Sequence, residues 1–168
     1  MNSLTFDPKG WQKAYLTERN NLLYLLSAFK VKIEQIGATS IPSGRSNNNV
    51  DILIVADSTA EMSSVAFKLQ NNGYTVLDYL ETAESSGLVK QEKVEGYGIT
   101  VRVVARASLT HRRINAFQIY LKEDIKNIRH YNDFREELTK KYKDDWKLYY
   151  RRKRDYINAV LDENVKFE

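Results

Sequence analysis

Apolar positions along this chain fall into two rhythms, one of three to four residues at each end and one of alternating or continuous runs between them. Trp11, Tyr15, Leu22, Leu26 and Phe29 lie four, seven, four and three residues apart, which gathers them on one face of a helix. Asp7-Pro8 opens that helix, since proline's missing N–H costs nothing in a first turn. Val31, Ile33 and Ile36 then read as a strand closed by Gly37, and Val50 to Val55 as a buried strand that follows the Asn47-Asn48-Asn49 loop. Ser58 with Glu61 three residues later marks a second helix start, and Asn71-Asn72-Gly73 its end. Tyr74 to Tyr79, Leu88 to Val94 and Ile99 to Val104 are rich in β-branched and aromatic residues and read as strands, the last two joined by a turn at Gly96-Tyr97-Gly98. From Ser108 onward the helical rhythm returns through Ile125, Ile128, Tyr131, Phe134, Leu138, Tyr142, Trp146, Tyr150 and Ile157, with breaks expected near Asp124 and Asp144. The succession of helix, mixed sheet and helices predicts an α/β (α+β) layered fold.

Composition narrows the setting. A length of 168 residues fits one domain over 1–168, and 42% hydrophobic with 29% charged residues suits a folded core. The absence of cysteine excludes disulfides, thiolate metal sites and cysteine nucleophiles. Met1-Asn2-Ser3-Leu4 lacks the basic start and apolar run of a signal peptide, and runs such as Ile52 to Ala56 are too short to span a bilayer. A cytoplasmic protein without a membrane partner is the expectation. The net charge of +4 favours phosphates or acidic surfaces without specifying nucleic acid.

Candidate chemistry gathers between Gly37 and Asp51. A glycine that closes a strand, followed by Thr39 and Ser40, lets backbone N–H groups approach an anion and can cradle a phosphate. Asp51 on the next strand could hold a divalent metal, magnesium being the natural choice, against that phosphate. The same residues also make good loop chemistry, with Asp51 a cap or a pairing group.

Three segments resemble the GrpB family, a small group with the nucleotidyltransferase fold. Phe6-Asp7-Pro8 with Trp11 matches its aromatic-Asp-Pro opening. Ile33-Glu34-Gln35-Ile36-Gly37-Ala38-Thr39-Ser40-Ile41-Pro42, followed by Val50-Asp51-Ile52-Leu53-Ile54, matches Ile-Glu-His-Ile-Gly-Ser-Thr-Ser-Val-Pro and Ile-Asp-Ile-Leu-Val. Tyr131, Phe134, Leu138, Tyr142 and Asp144-Asp145 fall where the family's helical tail has similar residues. The resemblance implies a nucleotidyltransferase-like mixed β-sheet with an N-terminal helix and C-terminal helices.

The catalytic set is incomplete. Active nucleotidyltransferases present two carboxylates two positions apart on one strand and a third on a neighbouring strand. Leu53 stands at the second position, and Thr100 or Arg102 at the third. Gln35 replaces the family histidine, Ala38 replaces a serine, and Ile99, Thr100 and Arg102 fall where the family carries histidines. Arg102 is expected to pair with Asp51 across the sheet and stand in for a metal.

Elsewhere the bland readings prevail. His111 and His130 have no metal-ligand spacing, and Gly96-x-Gly98 lacks the third glycine of a dinucleotide fingerprint. Lys140, Lys143, Lys147, Arg151 and Arg154 would form one basic stripe if their helix is continuous, either a solvated face or a dock for nucleic acid. Three functions stay open. The favoured one is a catalytically degenerate binder of a nucleotide or other phosphorylated small molecule, with contacts from Gly37, Thr39, Ser40, Arg45 and Arg102. The alternatives are a single-metal nucleotidyl or phosphoryl transferase using Asp51 with Glu34, and a non-enzymatic protein- or nucleic-acid-interaction module.

Overall fold

The computed structural model describes residues 3–164. Its sheet has five strands: β1 (Val31–Ile36), β2 (Asn49–Ala56), β3 (Tyr74–Val76), β4 (Ser85–Lys90) and β5 (Gly98–Ala105), in the order β1-β2-β5-β4-β3. Only β2 and β5 run parallel, and the other three pairings are antiparallel. The helices are α1 (Pro8–Leu25), α2 (Thr59–Gln70), α3 (Leu109–Glu123), α4 (Ile125–Lys141) and α5 (Trp146–Asn164). Among the described residues no helix is long and apolar enough to cross a membrane.

Strand alternation divides the molecule into two layers over one sheet. Val50, Ile52 and Ile54 of β2, with Ile99, Val101 and Val103 of β5, pack against Trp11, Ala14 and Leu22 of α1 and Met62, Val65 and Leu69 of α2. The opposite face carries Leu53, Val55 and Val104, which meet Ile36 and Ile114. Beside it, Phe117, Leu121, Ile128, Tyr131 and Leu161 of α3, α4 and α5 enclose Ala38 and Ile41 in a second cluster. Asp51 shares the parity of Leu53 and Val55, so it faces the C-terminal helices.

Local signals place the elements. Asp7 caps α1 by accepting from Gly10 N–H at 3.1 Å, with proline in the first turn. Ser58 accepts from Glu61 N–H at the start of α2, and Gly73 takes φ +89 after its end. One buried charge ties α1 to the sheet: Glu18 accepts two bonds of 2.8 Å from Lys90 Nζ, and Tyr74 donates to the same carboxylate.

The structure corrects three boundaries. The strand expected over Tyr74 to Tyr79 ends at Val76, and Asp78–Leu80 forms a 3₁₀ turn. Gly87 permits this, because a side chain there would collide with Leu80 (2.5 Å from a Cβ to Leu80 Cβ). The strand expected from Leu88 begins at Ser85 and ends at Lys90. The basic stripe is broken, since α4 ends at Lys141 and α5 begins at Trp146. Lys140 therefore lies on α4, Lys143 in the connection, and only Lys147, Arg151 and Arg154 on α5. Asp124 caps α4 at the first expected break, and Asp145 accepts from Leu148 N–H at 2.9 Å at the second.

Candidate functional site

The turn after β1 is built by Gly37, whose φ of +73 suits glycine alone. A Cβ there would stand 2.7 Å from Asp51 Oδ2, so the carboxylate lies directly against the turn. A single 3₁₀ turn, Ala38–Ser40, follows. The Gly37 N–H and the two hydroxyls of the turn are engaged from within the protein. Gly37 N–H donates to Gln118 Oε1 at 2.8 Å, and Gln118 Nε2 donates to Ser40 Oγ at 2.8 Å. Ser40 Oγ donates in turn to Gly37 O at 2.8 Å, while Gln35 Nε2 reaches Thr39 Oγ1 at 3.1 Å and Thr39 O at 3.2 Å. The side chain of Gln118, from α3, thus takes two of the groups that the sequence offers to a phosphate, Gly37 N–H and Ser40 Oγ.

Beneath the turn, Asn49 Nδ2 donates to Asp51 Oδ1 and to Thr100 Oγ1, each at 3.1 Å. The register sets Asp51 opposite Thr100 on one side and Ile36 on the other; Leu53 lies opposite Arg102 and Glu34. Glu34 therefore shares the face of Asp51 but sits one rung away, with its carboxylate 2.6 Å from Lys32 Nζ. Arg102 also shares that face, yet among the described residues no ion pair joins it to Asp51. Its Nη2 donates instead to Ser85 Oγ of β4 at 3.0 Å, and its Nε is shielded from solvent with no acceptor. The expected pair is corrected for a geometric reason: Thr100, not Arg102, stands opposite Asp51, and Arg102 reaches toward β4. The Arg45 side chain is exposed, while its backbone docks on α4 through Asn132 Oδ1 at 3.0 Å and Arg135 Nη1 at 2.5 Å.

Two cations missed by sequence reasoning complete the surroundings. Arg135 of α4 is 5% exposed, lies over the Tyr131 ring at 5.1 Å, and carries a second buried Nε without an acceptor. Lys153 of α5 stands 5.6 Å over the Tyr150 ring. Asp51 lies within electrostatic reach of Arg102, Arg135 and Lys153 alike. Burial pushes the Arg102 guanidinium below its usual range, with Asp51 and then Glu81 opposing. Burial also works against the charges of Arg135 and Lys153, but Tyr131, the neighbouring tyrosines and Asp51 outweigh it and hold both above their usual range. Phenols are neutral at physiological pH, so the attraction that persists there comes from Asp51. Burial likewise pushes the Tyr150 phenol up.

A divalent metal does not fit this donor set. Among the described residues no group of three or more His, Cys, Asp or Glu converges. Asp51 has one oxygen on the Asn49 amide and the other against Gly37, and the charges within its electrostatic reach include Arg102, Arg135 and Lys153.

Next to Asp51 the face opens into a cleft of about 740 Å³, walled by Asn49 and Thr100 on the sheet side and by Tyr79, Trp146 and Tyr150 on the other. Tyr79 and Tyr150 have ring centroids 5.2 Å apart, and Trp146 lies near-parallel to Tyr150 at 29° and 6.1 Å, while remaining 44% exposed. Tyr150 and Lys153 are one turn apart on α5, which is how a cation and an aromatic wall come to share one edge of the site.

The sheet order, the glycine turn and the aspartate on the adjacent strand define a nucleotidyltransferase-like fold. A structure of Cid1 poly(U) polymerase bound to MgATP matches 73% of this chain and 40% of its own, at a TM-score of 0.50 and 12% identity. The chain belongs to the GrpB family: the family's model, described as GrpB protein, matches residues 4–163. The crystal structure of conserved protein GrpB from Enterococcus faecalis aligns over 95% of both chains, with a TM-score of 0.76 and 20% identity. Comparison with curated proteins gives no match.

Proposed function

We propose that this protein is a cytoplasmic, catalytically degenerate member of its fold that binds a nucleotide or a similar phosphorylated small molecule without transferring it. The observation that carries this reading is the cleft, whose aromatic wall of Tyr79, Trp146 and Tyr150 faces the amide and hydroxyl of Asn49 and Thr100. A planar base can stack on the first and hydrogen-bond to the second. Leu53 and Arg102 occupy the positions where transfer would need acids, and the cations around Asp51 favour an anion over a metal. The single-metal reading is weakened by the Lys32 ion pair of Glu34.

Calorimetric titration with a panel of nucleotides, with and without magnesium, tests the proposal. Binding without magnesium is expected, and Trp146→Ala should cost about 1–3 kcal/mol of affinity. Binding that requires magnesium and vanishes in Asp51→Asn would replace this reading with the metal-dependent enzyme. Silence across the panel would leave an interaction module.

A further inference from the structure

In the Gly37–Ser40 turn the Gly37 N–H and the Thr39 and Ser40 hydroxyls are engaged by Gln118 and Gln35, which narrows the room for a phosphate there. We propose that Arg102, Arg135 and Lys153 form an anion subsite that takes phosphate oxygens directly, with no divalent cation, and that Asp51 serves as the counterion holding the three cations together. This rests on the reading that a phosphorylated ligand enters the neighbouring cleft.

Three observations carry the assignment. The first is unsatisfied donors: Nε of both Arg102 and Arg135 is buried without an acceptor. A buried donor left unpaired is costly, and an oxyanion presents acceptors in the geometry a guanidinium fork matches. The second is charge. Asp51 is the carboxylate felt by all three cations, while Glu81, felt by Arg102, is already bonded to Ser86 Oγ at 2.9 Å and Gly87 N–H at 3.0 Å. Arg135 is buried and Arg102 and Lys153 are half-buried, and a surplus of positive charge so placed is costly unless an anion completes it. The third is placement. Arg102 lies two residues from Thr100 on the same face of β5, and Lys153 stands over the ring of Tyr150; Thr100 and Tyr150 both wall the cleft. Arg102 and Lys153 thus adjoin residues of the cleft wall, while the cleft's own charged lining is Lys93 and Lys147 with Asp144 and Asp145.

The test uses calorimetry in EDTA with three probes, ATP, adenosine and inorganic tripolyphosphate, against the wild type, Lys153→Met, Arg102→Met and the outward-facing control Arg154→Met. Circular dichroism establishes that each variant is folded. Tripolyphosphate and ATP should bind the wild type, and each of Lys153→Met and Arg102→Met should weaken both by about tenfold or more, whereas Arg154→Met leaves them unchanged. Equal affinity of the folded Lys153→Met and Arg102→Met proteins for tripolyphosphate would overturn the subsite, even if ATP still binds in the cleft. Adenosine binding as tightly as ATP would overturn it too, and would leave the cleft reading standing. Tripolyphosphate binding that depends on Lys153 while ATP binds no better would support the subsite and remove the nucleotide reading.

Discussion

On the face of the sheet covered by α1 and α2, buried charge is fully engaged. Glu18 is 1% exposed and accepts from Lys90 twice, from Tyr74 and from Asn21 Nδ2, while apolar residues fill the space around it. On the face covered by α3, α4 and α5 the balance is different. Arg102, Arg135 and Lys153 lie within electrostatic reach of Asp51 without an ion pair to it among the described residues, and two guanidinium Nε groups find no acceptor. The two faces share the same strands, so backbone constraints cannot account for the contrast. A protein that can satisfy a buried carboxylate four times over on one side tolerates unsatisfied cations on the other at a cost in stability. The α1/α2 layer holds an orphan too, Trp11 Nε1, but a neutral one; unpaired buried charge is the feature a ligand anion would satisfy.

The comparison breaks most readily at Glu18. Glu18→Ala leaves Lys90 without its counterion in a setting where its side chain is 18% exposed, and should lower unfolding free energy by about 3–5 kcal/mol. Urea denaturation reads this directly. The paired replacement Glu18→Leu with Lys90→Met should recover part of the loss, because an apolar pair needs no desolvated charge but leaves the buried Tyr74 hydroxyl without its acceptor. A loss below about 1 kcal/mol for Glu18→Ala would mean that the satisfied face owes little to its ion pair, and the contrast between faces would fail.

The next effect lies where the two faces meet their turns. Gly37→Ala places a methyl 2.7 Å from Asp51 Oδ2 and forces φ +73 on a residue that avoids it. It should destabilise by about 1–3 kcal/mol and displace Asp51 from its seat. By contrast, Gly73→Ala meets no atom within 4 Å and pays only for its φ of +89, so it should cost less. Equal melting temperatures for the two variants would show that the turn yields freely and that Asp51 is not held by it.

The fold was largely readable from the sequence because its signals are local. Asp7-Pro8, the Ser58 cap, Gly73 and the breaks at Asp124 and Asp145 each act within a few residues of where they appear. Strand parity correctly set Leu53 beside Asp51 and Arg102 on the neighbouring strand. The site was less readable because its decisive contacts are long-range. Gln118 reaches Gly37 across 81 positions, and Arg135 reaches the Arg45 carbonyl across 90. Lys153 gave no local hint either, since a lysine in a charged helix looks like solvated surface until α5 folds over the sheet. The same holds for Tyr79, which reads as strand until Gly87 makes room for a turn that swings it against Tyr150.

The smallest expected change is the most telling about the unsatisfied face. Burial holds the Arg102 guanidinium below its usual range, so the fold carries its charged form at a cost that Asp51 and Glu81 only partly offset. Arg102→Met removes that charge and one orphaned Nε while keeping an unbranched chain over the same strand. The Ser85 hydroxyl that loses Arg102 keeps Thr82 Oγ1 at 3.0 Å, so no new orphan replaces the old one. Stability should therefore hold or rise by about 1 kcal/mol, in the opposite sense to Glu18→Ala, even as affinity for anions falls. Urea midpoints for the two variants in one buffer decide the matter. A loss of more than about 2 kcal/mol for Arg102→Met would make this arginine a structural group like Glu18, and the two faces of the sheet would then differ in composition but not in kind.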